Sequence, residues 1–338
     1  EILSAEQTED GDDWYQGTAD AVRRNLIHFG AQPDDIFVIL SGDQLYRMDF
    51  SKMVEEHLKR GAEVTVAAKP VPLSEASGLG LLRIGEESKI IDFVEKPSDP
   101  EVISRLVPPE LKSSGGEDDR CLASMGIYVF GGSSMFDALQ GDATDFGKEI
   151  IPSLVEKKDI RCHVFDNYWE DIGTVRSFFE ANLQLTDDLP SFDFYEEGHP
   201  IYNYPDLLPT AKLGNCALNR TTIASGCMVG NSSFERCMLG VRSIVGNGCS
   251  FNNVVMMGAD CYETLEAKSK EQSPDYVPIG VGDGTLVEDA IIDKNARIGE
   301  DVILSPKGLS DGWADEGQNV YIRDGIVVVV KNAVVKDG

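Results

Sequence analysis

The last third of the chain carries apolar residues at a spacing of six. Two runs of four show it, and Ile223 and Val229 share it; the runs are Leu239, Val245, Phe251, Met257 and Leu286, Ile292, Ile298, Leu304. A period of six fits neither an α-helix nor an amphipathic strand. It is typical of a parallel β-helix, in which one aliphatic side chain per short strand points into the core. We therefore predict hexapeptide coils over 213–338, with 262–277 as a loop; the alternative is an antiparallel sandwich.

Residues 1–185 have a different sequence pattern, in which helical and strand-like segments alternate. Two segments have apolar residues at helical spacing; the first is followed by Gly30 and the second by Gly61. The apolar run 36–40 lies between these two segments. Such a run is typical of a strand buried on both faces. Val64, Val66 and Ala68 alternate as in a further strand; the helical sets are Val22, Leu26, Phe29 and Phe50, Val54, Leu58. This order predicts a Rossmann-like α/β domain with a mostly parallel sheet and helices on both faces.

The stretch 186–212 shows no sustained period and is rich in Pro, Asp and aromatic residues. We interpret it as a linker packed on a surface, because its aromatic side chains need burial. These side chains are Phe192, Phe194, Tyr195 and Tyr202.

The formal net charge of −28 argues against binding to a nucleic-acid backbone. A phosphate group would need locally placed Lys, Arg or backbone N–H groups, or a divalent cation. No apolar run reaches the roughly 18 residues of a membrane span. Seven cysteines without a C-x-x-C pair argue against a disulfide framework or zinc site and for a reducing compartment. Because the first residue is Glu1, we expect a fragment or a processed chain.

Two aspartates are candidate metal ligands. Asp43 follows directly on the apolar run 36–40, and ligands of open α/β sheets bind at the carboxyl ends of strands. Asp171 lies between aromatic residues and a Gly-Thr turn. Two carboxylates that converge on one hard cation would form a Mg²⁺ site. The alternatives are that Asp43 caps the next turn and that Asp171 caps the helix after Gly173.

Two further motifs have the composition of a sugar-phosphate or nucleotide site. In Glu95-Lys96-Pro97, the glutamate can accept hydrogen bonds from sugar hydroxyls and the lysine can bind a phosphate. The alternative is an exposed ion pair at a strand end. Near the start, Tyr15 and Gly17 lie beside a predicted helix N-terminus, which suits a nucleoside or phosphate. The alternative there is an ordinary cap by Thr18.

Nine motifs, in this order along the chain, resemble those of ADP-glucose pyrophosphorylases (glucose-1-phosphate adenylyltransferases), in particular the plant, algal and cyanobacterial branch. They are WYQGTADAV (14–22), LSGDQLYRMD (40–49), ASGLG (76–80), FVEKP (93–97), LASMGIYVF (122–130), DFGKEIIP (145–152), YWEDIGT (168–174), PIGVG (278–282) and IIDKNARIG (291–299). The resemblance covers essentially the whole chain.

The resemblance implies a nucleotidyltransferase domain followed by a left-handed β-helix. It also implies the reaction of ATP with glucose 1-phosphate to give ADP-glucose and pyrophosphate, for glycogen or starch synthesis. By motif, Asp43 and Asp171 would hold Mg²⁺, and Lys96 would bind the phosphate of glucose 1-phosphate. Glu95, Ser124 and Gly80 would contact the glucose, and Tyr15 and Gly17 would lie near the nucleotide. We expect the two aspartates and Lys96 to face one cavity.

The family's quaternary structure and regulation are also implied: a homo- or hetero-tetramer that responds to anionic metabolites, with Lys294 and Lys336 as candidate effector residues. The family's N-terminal Gly-rich loop should lie upstream of Glu1, so this chain alone is expected to bind sugar phosphate better than it catalyses. Gln44 stands where the family commonly has His. A regulatory subunit on the same fold and a related sugar-phosphate nucleotidyltransferase are the alternatives. A bacterial cytoplasm is the expected location, with a plastid as the alternative.

Overall fold

The structure is a computed structural model that describes residues 14–113, 118–202, 207–263 and 276–338. Contacts divide the chain into two compact units. The first unit contains residues up to Gly42 together with Arg47–Trp169, and the second contains Asp43–Tyr46 and Glu170–Gly338. The division falls between residues 169 and 170, earlier than the boundary at 185 that the sequence predicts.

Among the described residues, six α-helices and eight strands precede the β-helix. The helices are α1 (Thr18–Phe29), α2 (Phe50–Arg60), α3 (Pro100–Leu106), α4 (Gly132–Ala138), α5 (Ile151–Leu154) and α6 (Val175–Gln184). The strands are β1 (Ile36–Ile39), β2 (Gln44–Tyr46), β3 (Val64–Pro72), β4 (Leu81–Ile84), β5 (Ile90–Val94), β6 (Arg120–Gly131), β7 (Ile160–Val164) and β8 (Trp169–Asp171). Short 3-10 turns cover Leu73–Gly78, Glu86–Ser88 and Pro109–Leu111, and a π-turn covers Phe146–Ile150.

The sheet of the first unit has the order β5-β4-β6-β3-β7, with β1 also paired to β6. Only β3 and β7 are parallel among the described pairings; β6 is antiparallel to β1, β3 and β4, and β4 is antiparallel to β5. The α/β class is confirmed, but the expectation of a mostly parallel sheet is wrong. An apolar run indicates that a strand is buried on both faces, but not the direction of its neighbours. A central antiparallel strand that is covered on both faces is as apolar as a parallel one.

Strand β1 is less buried than its sequence predicts. The side chains of Val38 and Leu40 are 38% and 46% exposed. In the described part of the chain β1 pairs with β6 on one edge, so the apolar run 36–40 does not lie in the middle of the sheet.

The helix ends follow the sequence signals. Gly30 and Gly61 adopt left-handed backbone conformations, with φ of 58° and 62°, directly after α1 and α2. The buried face of α2 differs from the prediction, because Met53 and His57 are buried whereas Leu58 is 59% exposed. Phe29 on α1 is also 55% exposed. A spacing of four fixes a helix face, but not which face meets the core.

The described part of the β-helix contains fourteen short strands. They are β9 (Lys212–Leu213), β10 (Ala217–Ile223), β11 (Met228–Val229), β12 (Ser233–Leu239), β13 (Ile244–Val245), β14 (Ser250–Met256), β15 (Gly280–Val281), β16 (Leu286–Ile292), β17 (Arg297–Ile298), β18 (Ile303–Leu304), β19 (Ala314–Asp315), β20 (Val320–Arg323), β21 (Ile326–Val329) and β22 (Val334–Val335). Parallel pairing from coil to coil joins most of them; β20 is antiparallel to both β19 and β21.

Apolar residues stack in register into columns inside the coils. The columns are Val229, Val245, Val281, Ile298, Val335; Phe234, Phe251, Val287, Leu304; and Leu239, Met256, Ile292, Val329. Each of these residues is at most 6% exposed. The predicted coils are therefore confirmed and the antiparallel sandwich is excluded.

Two positions of the predicted repeat are displaced by one residue. Met256, rather than Met257, stacks on Leu239, and Val287, rather than Leu286, stacks on Phe251. Residues Arg236, Asn253 and Asp289, in the middle of successive strands, have left-handed φ of 53°, 52° and 46°. These bends change how many residues separate two inward-facing side chains, so a strict period of six does not hold throughout.

Helix α6 packs against the β-helix within the second unit. Phe179 and Leu183 form a buried cluster with Val255, Ile291 and Ile326. This packing explains why residues 170–185 belong with the β-helix rather than with the preceding domain.

The predicted burial of the linker aromatics is correct only for Phe192, which is 6% exposed. Phe194, Tyr195 and Tyr202 are 50%, 87% and 92% exposed. Most of the predicted loop 262–277 lies outside the described residues. In the described part of the chain, no helix has the length and apolar character needed to cross a membrane. All seven cysteines are free thiols.

Candidate functional site

Asp43 and Asp171 lie side by side in the second unit, although they are far apart in the chain. Asp43 directly precedes the short strand β2, Asp171 is the last residue of β8, and these two strands pair with each other. The backbone N–H of Ile172 donates to the carbonyl oxygen of Asp43 at 3.0 Å. The Cβ position of Gly173 is 3.2 Å from Asp43 Oδ2 and 3.0 Å from Asp171 Oδ1. The structure therefore brings the two predicted carboxylates together.

Neither aspartate caps a helix. Thr174 caps α6, with its side chain accepting from the Ser177 N–H, and Asp49 caps α2. The Oδ1 atom of Asp171 instead accepts a hydrogen bond from the backbone N–H of Gly173 at 2.9 Å. The alternative that Asp171 caps α6 is therefore excluded, and one oxygen of Asp171 is oriented by the backbone of its own turn.

The two carboxylates have the donor set that a Mg²⁺ ion needs from a protein. Mg²⁺ is typically held by one or two carboxylates, with water and substrate phosphates completing its octahedron. Among the described residues, no group of three or more His, Cys, Asp and Glu side chains is placed to hold a metal ion. A pair of aspartates is therefore compatible with a metal that binds together with a phosphorylated substrate.

Gly80, Glu95 and Ser124 lie together in the first unit. The Cβ position of Gly80 is 2.5 Å from Glu95 Oε2, so a side chain at position 80 would overlap the carboxylate. The carbonyl oxygen of Gly80 accepts from the backbone N–H of Ser124 at 2.7 Å. Gly80 thus lies beside both Glu95 and Ser124, which belong to two other motifs.

Three further residues border this cluster that were not among the predicted site residues. The Cβ position of Gly147 is 3.2 Å from Glu95 Oε2 and 3.5 Å from Asp145 Oδ1. Tyr128 is buried and hydrogen-bonds with Ser124. All three lie inside the motifs 122–130 and 145–152, so the motifs contained the signal, but only the tertiary contacts show which of their residues face Glu95.

The environment of Glu95 favours the protonated carboxyl. Burial raises its pKa, Lys96 lowers it and Asp145 raises it further, with a net increase. Burial likewise raises the pKa of the Tyr128 phenol. A half-buried glutamate whose pKa is raised by burial is a candidate functional residue.

Lys96 has an unusual backbone. Its φ is +45°, a conformation that few non-glycine residues adopt, and its N–H donates to the carbonyl oxygen of Leu79 at 3.2 Å. The side chain is exposed. Lys96 belongs to the first unit and the aspartate pair to the second, so their predicted convergence on one cavity stays a prediction.

Tyr15 and Gly17 flank the start of α1. The Tyr15 hydroxyl accepts from Asn25 Nδ2 at 2.8 Å, and a Cβ at Gly17 would overlap the carbonyl oxygen of Thr144. Gly17 itself occupies the cap position, rather than Thr18. Thr18 Oγ1 instead accepts from the Phe146 N–H at 3.2 Å. The start of α1 is thereby fixed beside the turn that carries Asp145.

Comparisons with known proteins show the family to which the chain belongs. Residues 1–188 match the family described as nucleotidyl transferase, and residues 206–338 match the GLGC left-handed parallel β-helix domain. A maize (Zea mays) protein named glucose-1-phosphate adenylyltransferase large subunit 1, chloroplastic/amyloplastic, is 39% identical over 350 residues. The alignment covers all of this chain and 68% of that protein. The chain belongs to the glucose-1-phosphate adenylyltransferase family. Its β-helix is left-handed, as predicted.

The two predicted effector lysines have different surroundings. Lys294 Nζ is 3.2 Å from Asp260 Oδ1, and Lys331 Nζ is 3.2 Å from Asp260 Oδ2. Hydrogen bonds from Asn295, Lys331 and Lys294 lower the pKa of Asp260 to about 2. Lys336 donates its backbone N–H to Gln318 Oε1 at 3.0 Å. Lys331, which sequence reasoning did not single out, is therefore the lysine that shares a partner with Lys294.

Proposed function

We propose that this protein transfers the AMP group of ATP to glucose 1-phosphate and releases pyrophosphate, with ADP-glucose as the product. The observation that carries the proposal is that the Asp43 and Asp171 carboxylates both lie within 3.2 Å of the Gly173 Cβ position, in a chain of this family. Such a pair suits a metal ion that binds with phosphates, and the Gly80–Glu95–Ser124 cluster suits a hexose.

In the proposed reaction, a phosphate oxygen of glucose 1-phosphate attacks the α-phosphorus of ATP in line. A new P–O bond forms, the bond to the β-phosphate bridging oxygen breaks, and pyrophosphate leaves with its electron pair. No covalent enzyme intermediate is required. The contribution of the protein is to orient the two substrates and to neutralise charge.

Each candidate residue has a part in this scheme. Asp43 and Asp171 would hold Mg²⁺, which supplies positive charge against the phosphate oxygens of the substrate. Glu95 would accept hydrogen bonds from glucose hydroxyls, with Ser124 and Gly80 shaping the same pocket. The Lys96 ammonium would bind the phosphate of glucose 1-phosphate, and Tyr15 and Gly17 would lie near the nucleotide.

A regulatory subunit with little turnover is the second candidate, because the maize relative is named as a large subunit. The two candidates differ in one measurable property. A catalytic chain releases pyrophosphate by itself when it is produced from the complete reading frame. A regulatory chain instead changes the activity or the effector response of a catalytic partner in a hetero-tetramer.

The test is pyrophosphate release from ATP and glucose 1-phosphate by the protein made from the complete reading frame. We expect Mg²⁺-dependent release with ATP and little with UTP or GTP. Replacing either aspartate, as Asp43→Asn or Asp171→Asn, should lower kcat by roughly 10²-fold or more while glucose 1-phosphate still binds. Equal rates with UTP would reject the adenylyl specificity. A parent protein without turnover that activates a catalytic partner would favour the regulatory role.

We also propose a homo- or hetero-tetramer that binds anionic metabolites, in a bacterial cytoplasm or a plastid. Lys294 and Lys336 are the effector residues that the sequence predicts, and the shared contact with Asp260 makes Lys331 a third candidate. Separate Lys294→Gln, Lys331→Gln and Lys336→Gln variants, compared for activation by phosphorylated metabolites, identify which lysines respond. Light scattering gives the number of subunits.

A further inference from the structure

Gly173 lies between the two candidate metal ligands. A Cβ atom built on its backbone would be 3.0 Å from Asp171 Oδ1 and 3.2 Å from Asp43 Oδ2. Both distances are shorter than ordinary van der Waals contact between carbon and oxygen atoms. Any side chain at position 173 would therefore push on both carboxylates at once.

Glycine is not required at this position by backbone conformation. The φ of Gly173 does not lie in the left-handed region. Gly30 and Gly61, in contrast, end helices in a left-handed conformation. An alanine could adopt the same backbone without the strain that a left-handed position imposes. The space next to the carboxylates, rather than conformational freedom, is what a side chain here would disturb.

The backbone around Gly173 also orients the two ligands. Its own N–H donates to Asp171 Oδ1 at 2.9 Å, and the preceding N–H, of Ile172, donates to the carbonyl oxygen of Asp43 at 3.0 Å. In the described part of the chain, Asp171 Oδ2 accepts no hydrogen bond. The turn thus fixes one oxygen of Asp171 and leaves the other for a ligand.

We propose that Gly173 is a positioning residue, which keeps the Asp43 and Asp171 carboxylates close enough to bind one divalent cation. The inference rests on the proposed function, because it takes the two aspartates as the metal ligands. A methyl group at position 173 moves the carboxylates by a few tenths of an ångström, and a branched side chain separates them further. Mg²⁺ demands near-ideal geometry, so small displacements weaken its binding.

The experiment compares Gly173→Ala and Gly173→Val with Gly198→Ala and Gly198→Val in the complete protein. Gly198 is a matched control, because no atom lies within 4 Å of its Cβ position and its φ is not left-handed. Mn²⁺ is the probe, and its binding is followed by the loss of the free-ion electron paramagnetic resonance signal. Asp43→Asn identifies which bound Mn²⁺ belongs to the aspartate pair.

We expect the dissociation constant of that Mn²⁺ to rise on the order of tenfold in Gly173→Ala, with a larger rise in Gly173→Val. The Gly198 variants should bind Mn²⁺ as the parent does. The melting temperature and the metal-free affinity for glucose 1-phosphate should not change in Gly173→Ala, which separates a local displacement from a loss of folding.

Two outcomes separate the failure of this inference from failure of the proposed function. If the parent and Asp43→Asn bind Mn²⁺ equally, the aspartate pair is not a metal site and the proposed function loses its basis. If Asp43→Asn loses the ion but Gly173→Ala and Gly173→Val retain parental affinity, Gly173 does not position the ligands. Should the valine variant fail to fold, the alanine variant alone decides.

Discussion

Glu95 occupies the space that a side chain at Gly80 would need, since its Oε2 atom lies 2.5 Å from the Gly80 Cβ position. The aromatic ring of Phe93 closes the same space, at 3.0 Å. The three atoms nearest to this position are Glu95 Oε2 and two carbons of the Phe93 ring, so a methyl group at residue 80 would displace the Glu95 carboxylate, which is the end of a flexible side chain. The orientation of Glu95 therefore depends on the absence of a side chain at Gly80, the residue that directly precedes β4.

We accordingly predict that Gly80→Ala weakens glucose 1-phosphate binding on the order of tenfold, because displacement of about an ångström can cost up to roughly 10²-fold at such sites. Isothermal titration calorimetry measures the affinity of each variant for glucose 1-phosphate. Gly78→Ala is the control in the same segment, since nothing lies within 4 Å of its Cβ position. Equal affinity of both variants would show that Glu95 does not contact the sugar.

Glu95→Gln should stabilise the fold while it weakens the site. Burial raises the folded-state pKa of Glu95, so between the ordinary value of about 4.3 and the raised value the native state binds more protons than the unfolded state. The free energy of unfolding then falls as pH rises through that window. At neutral pH it stays lower than it would be without the buried carboxylate. Glutamine is uncharged and does not have the cost of burying a carboxylate. The melting temperature at pH 7 should therefore rise in Glu95→Gln, with no such rise in the exposed control Glu156→Gln.

The same substitution should weaken glucose 1-phosphate binding roughly tenfold or more, because hydrogen bonds to a charged group contribute about 1.5–3 kcal/mol. In the parent, affinity should increase as pH rises through the folded pKa of Glu95 and the carboxylate becomes charged. Calorimetric titrations at several pH values test this. An affinity that is unchanged by Glu95→Gln would argue against a role of this residue in sugar binding.

His57 should make the protein less stable in mild acid. The side chain is 2% exposed, its Nδ1 lies 2.8 Å from Thr65 Oγ1, and burial lowers its pKa. Below the unfolded value of about 6.5, the unfolded state binds the proton first, so stability falls as pH decreases toward the folded pKa. Urea unfolding at several pH values between 5 and 7.5 gives the free energy of unfolding as a function of pH. This free energy should change less with pH in His57→Gln than in the parent, whereas the exposed control His28→Gln should keep the parental pH dependence.

Ile292 tests the stacked core of the β-helix. It is fully buried and lies in register between Met256 and Val329. Ile292→Ala should lower the free energy of unfolding by about 2–5 kcal/mol, since it removes buried methyl groups and leaves a cavity. Ile303→Ala, at a position that is 74% exposed, should change it by no more than about 0.5 kcal/mol. Chemical denaturation of both variants measures the difference, and similar losses would contradict the assigned register.

Much of the β-helix could be predicted from spacing alone. Val245, Phe251 and Ile298 face the core as their six-residue period indicates, but Met256 and Val287 replace their predicted neighbours. The spacing reports how often a side chain turns inward. The left-handed bends at Arg236, Asn253 and Asp289 alter that count locally. Asparagine and aspartate tolerate a left-handed φ without requiring it, and arginine adopts it rarely, so these residues do not reveal the bends in the sequence.

The candidate site was predicted in its residue types and only partly in its geometry. Asp43 and Asp171 follow from the resemblance, and the pairing of β2 with β8 places them together. Gly173, which lies between them, was merely part of a turn in the sequence. Lys331 was passed over in favour of Lys336, because the contact of Lys331 with Asp260 joins residues of different coils.

The sequence by itself determined the local features of this protein: where α1 and α2 end, which unit has helical and which has hexapeptide periodicity, and which motifs carry acidic and basic groups. Backbone preferences of glycine and the burial of apolar side chains act over a few residues, so a pattern reports them directly. Only the tertiary structure decided that β6 runs antiparallel to its neighbours, that β1 is partly exposed, and that two aspartates meet across Gly173. These features depend on which distant segments pack together, and that choice is made by the summed free energy of the whole fold rather than by any one segment.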